Sequence, residues 1–82
     1  MKIFYFASLR QIVGTSEENF KIDRSYTVKD LIQLLRKRDE NFKIAFKDLS
    51  KIKCAVNRQY VSLEKLITDE DEISFFPPVT GG

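Results

Sequence analysis

The sequence predicts an α+β fold, a mixed sheet in the order ββαββ packed on one main helix, followed by an extended tail that ends Gly81-Gly82. Three observations carry this expectation. Short segments of alternating apolar residues recur along the chain, and a two-residue period is that of strands. One stretch near the middle repeats its apolar residues at helical spacing instead. Two consecutive prolines, Pro77-Pro78, close the last alternating segment, because proline cannot donate to a strand ladder. The chain thus divides into a folded domain over 1–76 and a tail over 77–82.

Taken in order, Lys2 to Ala7 alternates two apolar sets, Ile3/Tyr5/Ala7 and Phe4/Phe6, which predicts a central strand covered on both faces. Ser8 to Val13 suits a short helical turn ended by Gly14, whose missing Cβ permits a left-handed cap. Asn19 to Asp23 alternates again through Phe20 and Ile22, giving a second strand and a long-looped opening hairpin. The main helix follows: Thr27 with Asp30 three positions later resembles a capping box, and Val28, Leu31, Ile32, Leu34 and Leu35 form one apolar stripe. Lys29, Gln33, Arg36 and Lys37 are left to the solvent. From Glu40 to Leu49 the spacing fits either a loop or a weak second helix anchored by Phe42, Ile44, Phe46 and Leu49. Ile52 to Asn57 reads as a strand, Asn57-Arg58 as a turn and Gln59 to Ser62 as a short further strand. Leu63 and Leu66 tether a connecting turn. Glu72 to Phe76 is the last strand, entered through the acidic turn Asp69-Glu70-Asp71.

Composition narrows the function. A chain of 82 residues, 43% of them apolar, is one small domain without room for a deep cleft. It has no histidine and one cysteine, so no His general base, zinc cluster or internal disulfide can be assembled from it. Cys54 lies in a predicted strand and reads as a small buried hydrophobe more than as a thiol reagent. The opening MKIFYFAS lacks a signal-peptide pattern, no stretch approaches the roughly 20 apolar residues of a membrane span, and a free thiol suits a reducing compartment, so a cytoplasmic location is expected. Net charge is +2 but unevenly placed. Residues 1–60 carry 13 Lys and Arg against 7 Asp and Glu, whereas 61–82 carry 1 against 5. The densest basic run, Arg36-Lys37-Arg38, falls in the helical pattern as a solvated face, so nucleic acid is not the expected partner. The acidic segment leading to the tail is expected to help orient it toward basic sites on a partner.

The tail Pro77-Pro78-Val79-Thr80-Gly81-Gly82 carries the chemistry. Two prolines favour polyproline geometry, and six residues at about 3.3 Å each reach roughly 20 Å. The two glycines remove all side-chain bulk, so backbone and carboxylate can enter a channel too narrow for a Cβ. A terminal carboxylate with a pKa of about 3.3 to 3.7 is ionised at neutral pH and is a poor electrophile. Nothing in the chain resembles a phosphate-binding loop, since its three glycines are Gly14, Gly81 and Gly82. If the tail reacts, a separate enzyme must adenylate it, after which sulfide displacing AMP would leave a thiocarboxylate, as would a persulfide once a thiol has reduced the acyl disulfide it forms. On that reading the chain is a carrier and not the catalyst.

Several segments together carry a family resemblance. These are Phe4-Tyr5-Phe6-Ala7-Ser8-Leu9-Arg10 with Gly14, Thr27-Val28 through Leu31, Ala55-Val56-Asn57, Asp71-Glu72-Ile73, and Phe75-Phe76 running into the tail. Over nearly its whole length the chain resembles the small, sulfur-carrying subunits of molybdopterin synthases, which are β-grasp, ubiquitin-like proteins. The last eight residues are the most specific part. Glu70 departs from the pattern, which commonly has Gly before Asp-Glu, and suggests an altered turn. The resemblance implies that an activating enzyme consumes ATP to form a glycyl adenylate at Gly82, a nucleotide-linked and phosphate-bearing state. A sulfur donor system then makes 1-thioglycine there. A large subunit bearing the catalytic Lys and Arg residues transfers that sulfur to cyclic pyranopterin monophosphate, building the molybdopterin dithiolene. It implies an assembly of two small and two large subunits, with no bound cofactor or metal on this chain.

Docking residues follow from physical grounds too. Phe6, Tyr60, Phe75 and Phe76 are bulky aromatics near strand ends beside the tail, of which Phe6 and Phe75 are equally readable as core. Two other readings share parts of this pattern. One is a related ubiquitin-like carrier or modifier, serving thiamine or tRNA thiolation or protein conjugation. The other is a plain interaction module whose tail never reacts.

Overall fold

The computed structural model describes residues 1–77. Its elements are β1 (Lys2–Tyr5), α1 (Ala7–Val13), β2 (Glu17–Asn19), β3 (Tyr26–Thr27), α2 (Val28–Arg36), α3 (Glu40–Ala45), a 3-10 turn (Leu49–Lys51), β4 (Lys53–Val56), β5 (Gln59–Val61), β6 (Leu66–Ile67) and β7 (Glu72–Phe76). Five strands form one sheet in the order β2-β1-β7-β4-β5, and β3 pairs with β6 in a separate ribbon. The large sheet is mixed: β1 and β7 run parallel, while the other neighbours are antiparallel. The first and last strands of the chain therefore lie side by side at its centre. The expected α+β, mixed-sheet class is what the chain adopts, with α1, α3 and the β3–β6 ribbon added to the ββαββ order.

Local chemistry sets most boundaries. The Thr27 hydroxyl accepts from the Asp30 N–H at 3.1 Å and the Asp30 carboxylate accepts from the Thr27 N–H at 3.3 Å, closing the capping box that starts α2. Asp39 does the same work for α3, accepting from the Asn41 and Phe42 N–H groups, which makes the 40–49 segment a helix followed by a turn. Gly14 ends α1 at φ 85° with its N–H donated to the Arg10 carbonyl. Asn57 and Arg58, at φ 51° and 71°, make the two-residue link between β4 and β5 with both residues left-handed, the primed geometry that matches strand twist. Glu70 is not left-handed, so this turn accepts a side chain at that position without strain. Ala7 also has a positive φ, 52°, which costs a Cβ-bearing residue about 1–2 kcal/mol.

Several expectations are corrected. The second strand is Glu17–Asn19, not Asn19 to Asp23. Pairing with β1 in the register Lys2 to Asn19 and Phe4 to Glu17 sets its limits, and Ile22 is buried from irregular backbone whose N–H is held by Asp69. The first strand stops at Tyr5, because Ala7 already belongs to α1, and helices cover only one of its faces. In α2 the buried stripe is Val28, Leu31, Ile32 and Leu35, with Leu34 only partly covered at its margin. Phe42 and Phe46 are core, but Ile44 is exposed, as is Leu66 in β6.

On the covered face, Ile3, Tyr5, Ile73, Phe75 and Cys54 from the sheet pack with Val28, Leu31, Ile32, Leu35 and Phe46. Tyr5 lies edge-on to Phe42 at 5.8 Å and stacks beside Phe75 at 6.2 Å. Its hydroxyl needs a partner inside this apolar layer. It donates to Glu18 at 2.6 Å, and Arg38 donates two bonds of 2.8 Å to the same carboxylate. Arg38 in turn lies over the Phe42 ring at 4.5 Å, so one member of the basic run Arg36-Lys37-Arg38 is a packing residue and not part of a free cationic face. Among the described residues, no buried side-chain nitrogen or oxygen lacks a partner.

Candidate docking face at the root of the tail

Strand alternation sends a second set of side chains to the opposite face, which no helix among the described residues covers. Strand pairing places Glu17, Phe4, Ser74, Ala55 and Tyr60 in one row across all five strands. Beside that row, Phe76 is paired with Lys53, and Phe6 follows β1 with its N–H donated to the Phe75 carbonyl at 3.2 Å. Small residues at Ser74 and Ala55 leave a shallow depression of about 310 Å³ between the aromatics, with Arg58 and Glu72 also on its lining. Phe76 is held between two rings: it stacks on Phe6 at 4.7 Å with 11° between the planes, and meets Tyr60 at 5.8 Å and 48°. Phe6 and Tyr60 are 42% and 76% exposed, a large apolar display for one small sheet.

Of the four aromatics expected to dock a partner, Phe6, Tyr60 and Phe76 come together on this face. Phe75 does not: it is fully buried against Tyr5 and Phe46, because alternation within β7 turns it to the helices. Phe4, Arg58 and Ser74 border the same depression and were not singled out from the sequence; the signal for Phe4 and Ser74 is their two-residue spacing from Phe6 and Phe76. Pro77 is the last described residue. Pro78, Val79, Thr80, Gly81 and Gly82, which include the expected reactive end, lie outside the described residues.

Cys54 is buried as expected, donates its S–H to the Val61 carbonyl at 3.4 Å, and burial pushes its thiol pKa up, the opposite of a nucleophilic thiolate. Among the described residues, no three His, Cys, Asp or Glu side chains are grouped to hold a metal ion, and no helix is long and apolar enough to cross a membrane. Two carboxylates of the acidic segment are engaged elsewhere in the fold. Asp69 accepts from the Ile22 N–H at 2.9 Å and pairs with the amino terminus at 3.3 Å. Asp71 accepts from the Thr68 N–H and the Asn57 side chain at 2.8 and 2.9 Å. Both stand before the start of β7, so four strand steps separate even Glu72 from Phe76, about 13 Å. Asp69 and Asp71 tie loops together at the end of β7 away from Pro77, while Glu72 lines the depression beside Phe76.

A mixed β1–β7 centre with one layer of helices and an uncovered aromatic face at the end of β7 defines a ubiquitin-like β-grasp protein. The ThiS family profile matches residues 3–82, and the chain belongs to that family. It is 39% identical over 82 residues to the molybdopterin synthase sulfur carrier subunit of Escherichia coli, covering all of this chain and 99% of that protein. A Pyrococcus furiosus structure provisionally described as molybdopterin converting factor subunit 1 superposes with a TM-score of 0.75 at 34% identity, covering 95% of each chain. The fold also matches, with a TM-score of 0.65 at 24% identity over 99% of this chain and 96% of the other, a chain in the complex of molybdopterin-converting factor subunits 1 and 2 from Helicobacter pylori.

Proposed function

We propose that this protein is the sulfur-carrier subunit of a molybdopterin synthase and that Gly82 is its reactive residue. The observation that carries the reading is the full-length likeness to a sulfur carrier subunit, within a family match that runs through Gly82. The Gly82 carboxylate attacks the α-phosphate of ATP on a separate activating enzyme, pyrophosphate leaves, and an acyl adenylate results. Hydrosulfide then adds to the acyl carbon and AMP departs, giving the thiocarboxylate. If the donor is a protein persulfide, its terminal sulfur makes the same displacement, and a thiol must then reduce the resulting acyl disulfide. ATP is consumed by the partner and no cofactor resides on this chain. The large subunit receives the tail, supplies the catalytic groups and transfers sulfur to cyclic pyranopterin monophosphate, in an assembly of two small and two large subunits in the cytoplasm. The Helicobacter pylori complex of subunits 1 and 2 supports a two-subunit partnership of this kind.

The face around Phe6, Tyr60 and Phe76 is the docking surface of this reading, because exposed aromatics beside a small depression are the anchors that dominate interfaces. Intact-mass measurement of the chain purified from its own cell tests the chemistry. A species with one oxygen of Gly82 replaced by sulfur is expected. Deleting Gly82, or adding one residue after it, should abolish molybdopterin formation with the melting temperature unchanged. A deletion variant that remained active would eliminate the terminal carboxylate as the reactive group. Recovery of lysine-linked conjugates in place of a large-subunit complex would assign the chain to the modifiers.

A further inference from the structure

We propose that Phe6 is a positioning residue that sets the direction in which the tail leaves the sheet, acting through Phe76, and is more than a contact for partners. The inference rests on the carrier reading and deepens it. Three features converge on Phe6. Its backbone ties the end of β7 to the start of α1: the N–H donates to Phe75, and the carbonyl accepts from the Leu9 and Arg10 N–H groups at 3.1 and 3.4 Å. Its ring lies parallel to Phe76, the residue immediately before Pro77. Directly after it, Ala7 holds a left-handed backbone, the kind of conformation that persists only where the surroundings over-determine it.

The consequence is mechanical. A residue before proline is already confined to extended backbone, so little freedom remains at Phe76 except rotation of the strand end as a whole. The Phe6 ring on one side and Tyr60 on the other block that rotation. A reacting group carried several residues further on sweeps a wide volume when its base rotates, and small misplacement of a reacting atom is costly in rate. Holding Phe76 therefore raises the fraction of docked carriers whose carboxylate meets the activated phosphate. Docking strength alone would not do this.

The two roles separate in steady-state kinetics. Full-length wild type, Phe6→Ala, Phe6→Leu and Phe6→Tyr are assayed as the varied substrate of the cognate adenylating enzyme with saturating ATP, following pyrophosphate release. Phe6→Leu keeps apolar bulk without a planar stack and covers the case in which Phe6→Ala is poorly folded. We expect kcat to fall about tenfold for Phe6→Ala and Phe6→Leu with KM changed by less than about threefold, and Phe6→Tyr to restore kcat to within about twofold. A rise in KM with kcat intact would make Phe6 a docking contact only and overturn the proposal. Unchanged kinetics in Phe6→Leu, or a Phe6→Tyr variant as slow as Phe6→Leu, would overturn it as well. A wild-type chain that releases no pyrophosphate would instead overturn the carrier reading itself, and with it this role.

Discussion

The two faces of the central sheet are built from the same strands, and each carries large aromatic side chains. β1 and β7 send Tyr5 and Phe75 to one side and Phe4, Phe76 and the adjoining Phe6 to the other. On the first side, α2 and α3 complete a closed layer in which Phe42 and Phe46 meet those rings edge-on. On the second, Phe76 packs against Phe6 and Tyr60, Lys2 lies over the Phe4 ring, and Phe6 and Tyr60 remain exposed. Apolar character thus has two uses in one sheet, and coverage alone distinguishes them. Burial stabilises the domain on one face; on the other, the proposed docking surface would gain the same transfer free energy only when a partner covers it.

Truncating one residue on each face is the strongest way to break this contrast. Phe75→Ala should cost about 3–5 kcal/mol in urea unfolding, by lost burial and the cavity left among Tyr5, Phe46 and the α2 stripe. Tyr60→Ala should leave stability within about 0.5 kcal/mol yet weaken large-subunit binding by about tenfold or more in calorimetry. If the two substitutions lowered stability equally, the open face would be part of the core.

A second contrast lies within the covered face, at its one polar intrusion. Burial raises the Glu18 pKa, but the bonds from Arg38 and Tyr5 outweigh it and hold the carboxyl below its ordinary value of 4.5. The folded-state pKa is depressed, so the stabilisation is complete above the unfolded value and is lost as pH falls through the folded one. Acid unfolding should therefore begin below about pH 4.5, and Glu18→Gln should flatten that limb while costing about 1–2 kcal/mol at neutral pH. Stability of the variant that still fell with the wild-type slope would assign the acid limb to other carboxylates. The smallest effect is expected at the corner between the faces, where Ala7→Gly should raise stability by up to about 1 kcal/mol through relief of the left-handed strain. A destabilised Ala7→Gly would show that flexibility there costs more than the strain.

Much of this was readable from local pattern. The capping box at Thr27 and Asp30, the left-handed Gly14, the Asn57-Arg58 turn and the proline stop all lie where the residues predicted them, because each is decided by interactions within a few positions. The second strand was misplaced for the opposite reason. Phe20 and Ile22 alternate like a strand, but the ladder goes to Glu17–Asn19, where β1 offers its register and Tyr5 offers Glu18 a hydroxyl. In the 40–49 segment the apolar spacing fits loop and helix equally, and the Asp39 carboxylate capping its first turn makes it a helix.

The sequence by itself determined the element types, the caps and the side-chain composition of a bulk-free Gly-Gly end, since propensity, period and side-chain size are properties of the residues alone. Tertiary structure decided which face each aromatic serves. It turned Phe75 inward and left Phe6, Tyr60 and Phe76 in the open, and it placed the acidic turn at the opposite end of β7 from the tail. Helices cover one side of this sheet only, and the choice of side depends on contacts between segments far apart in the chain, which no local window contains.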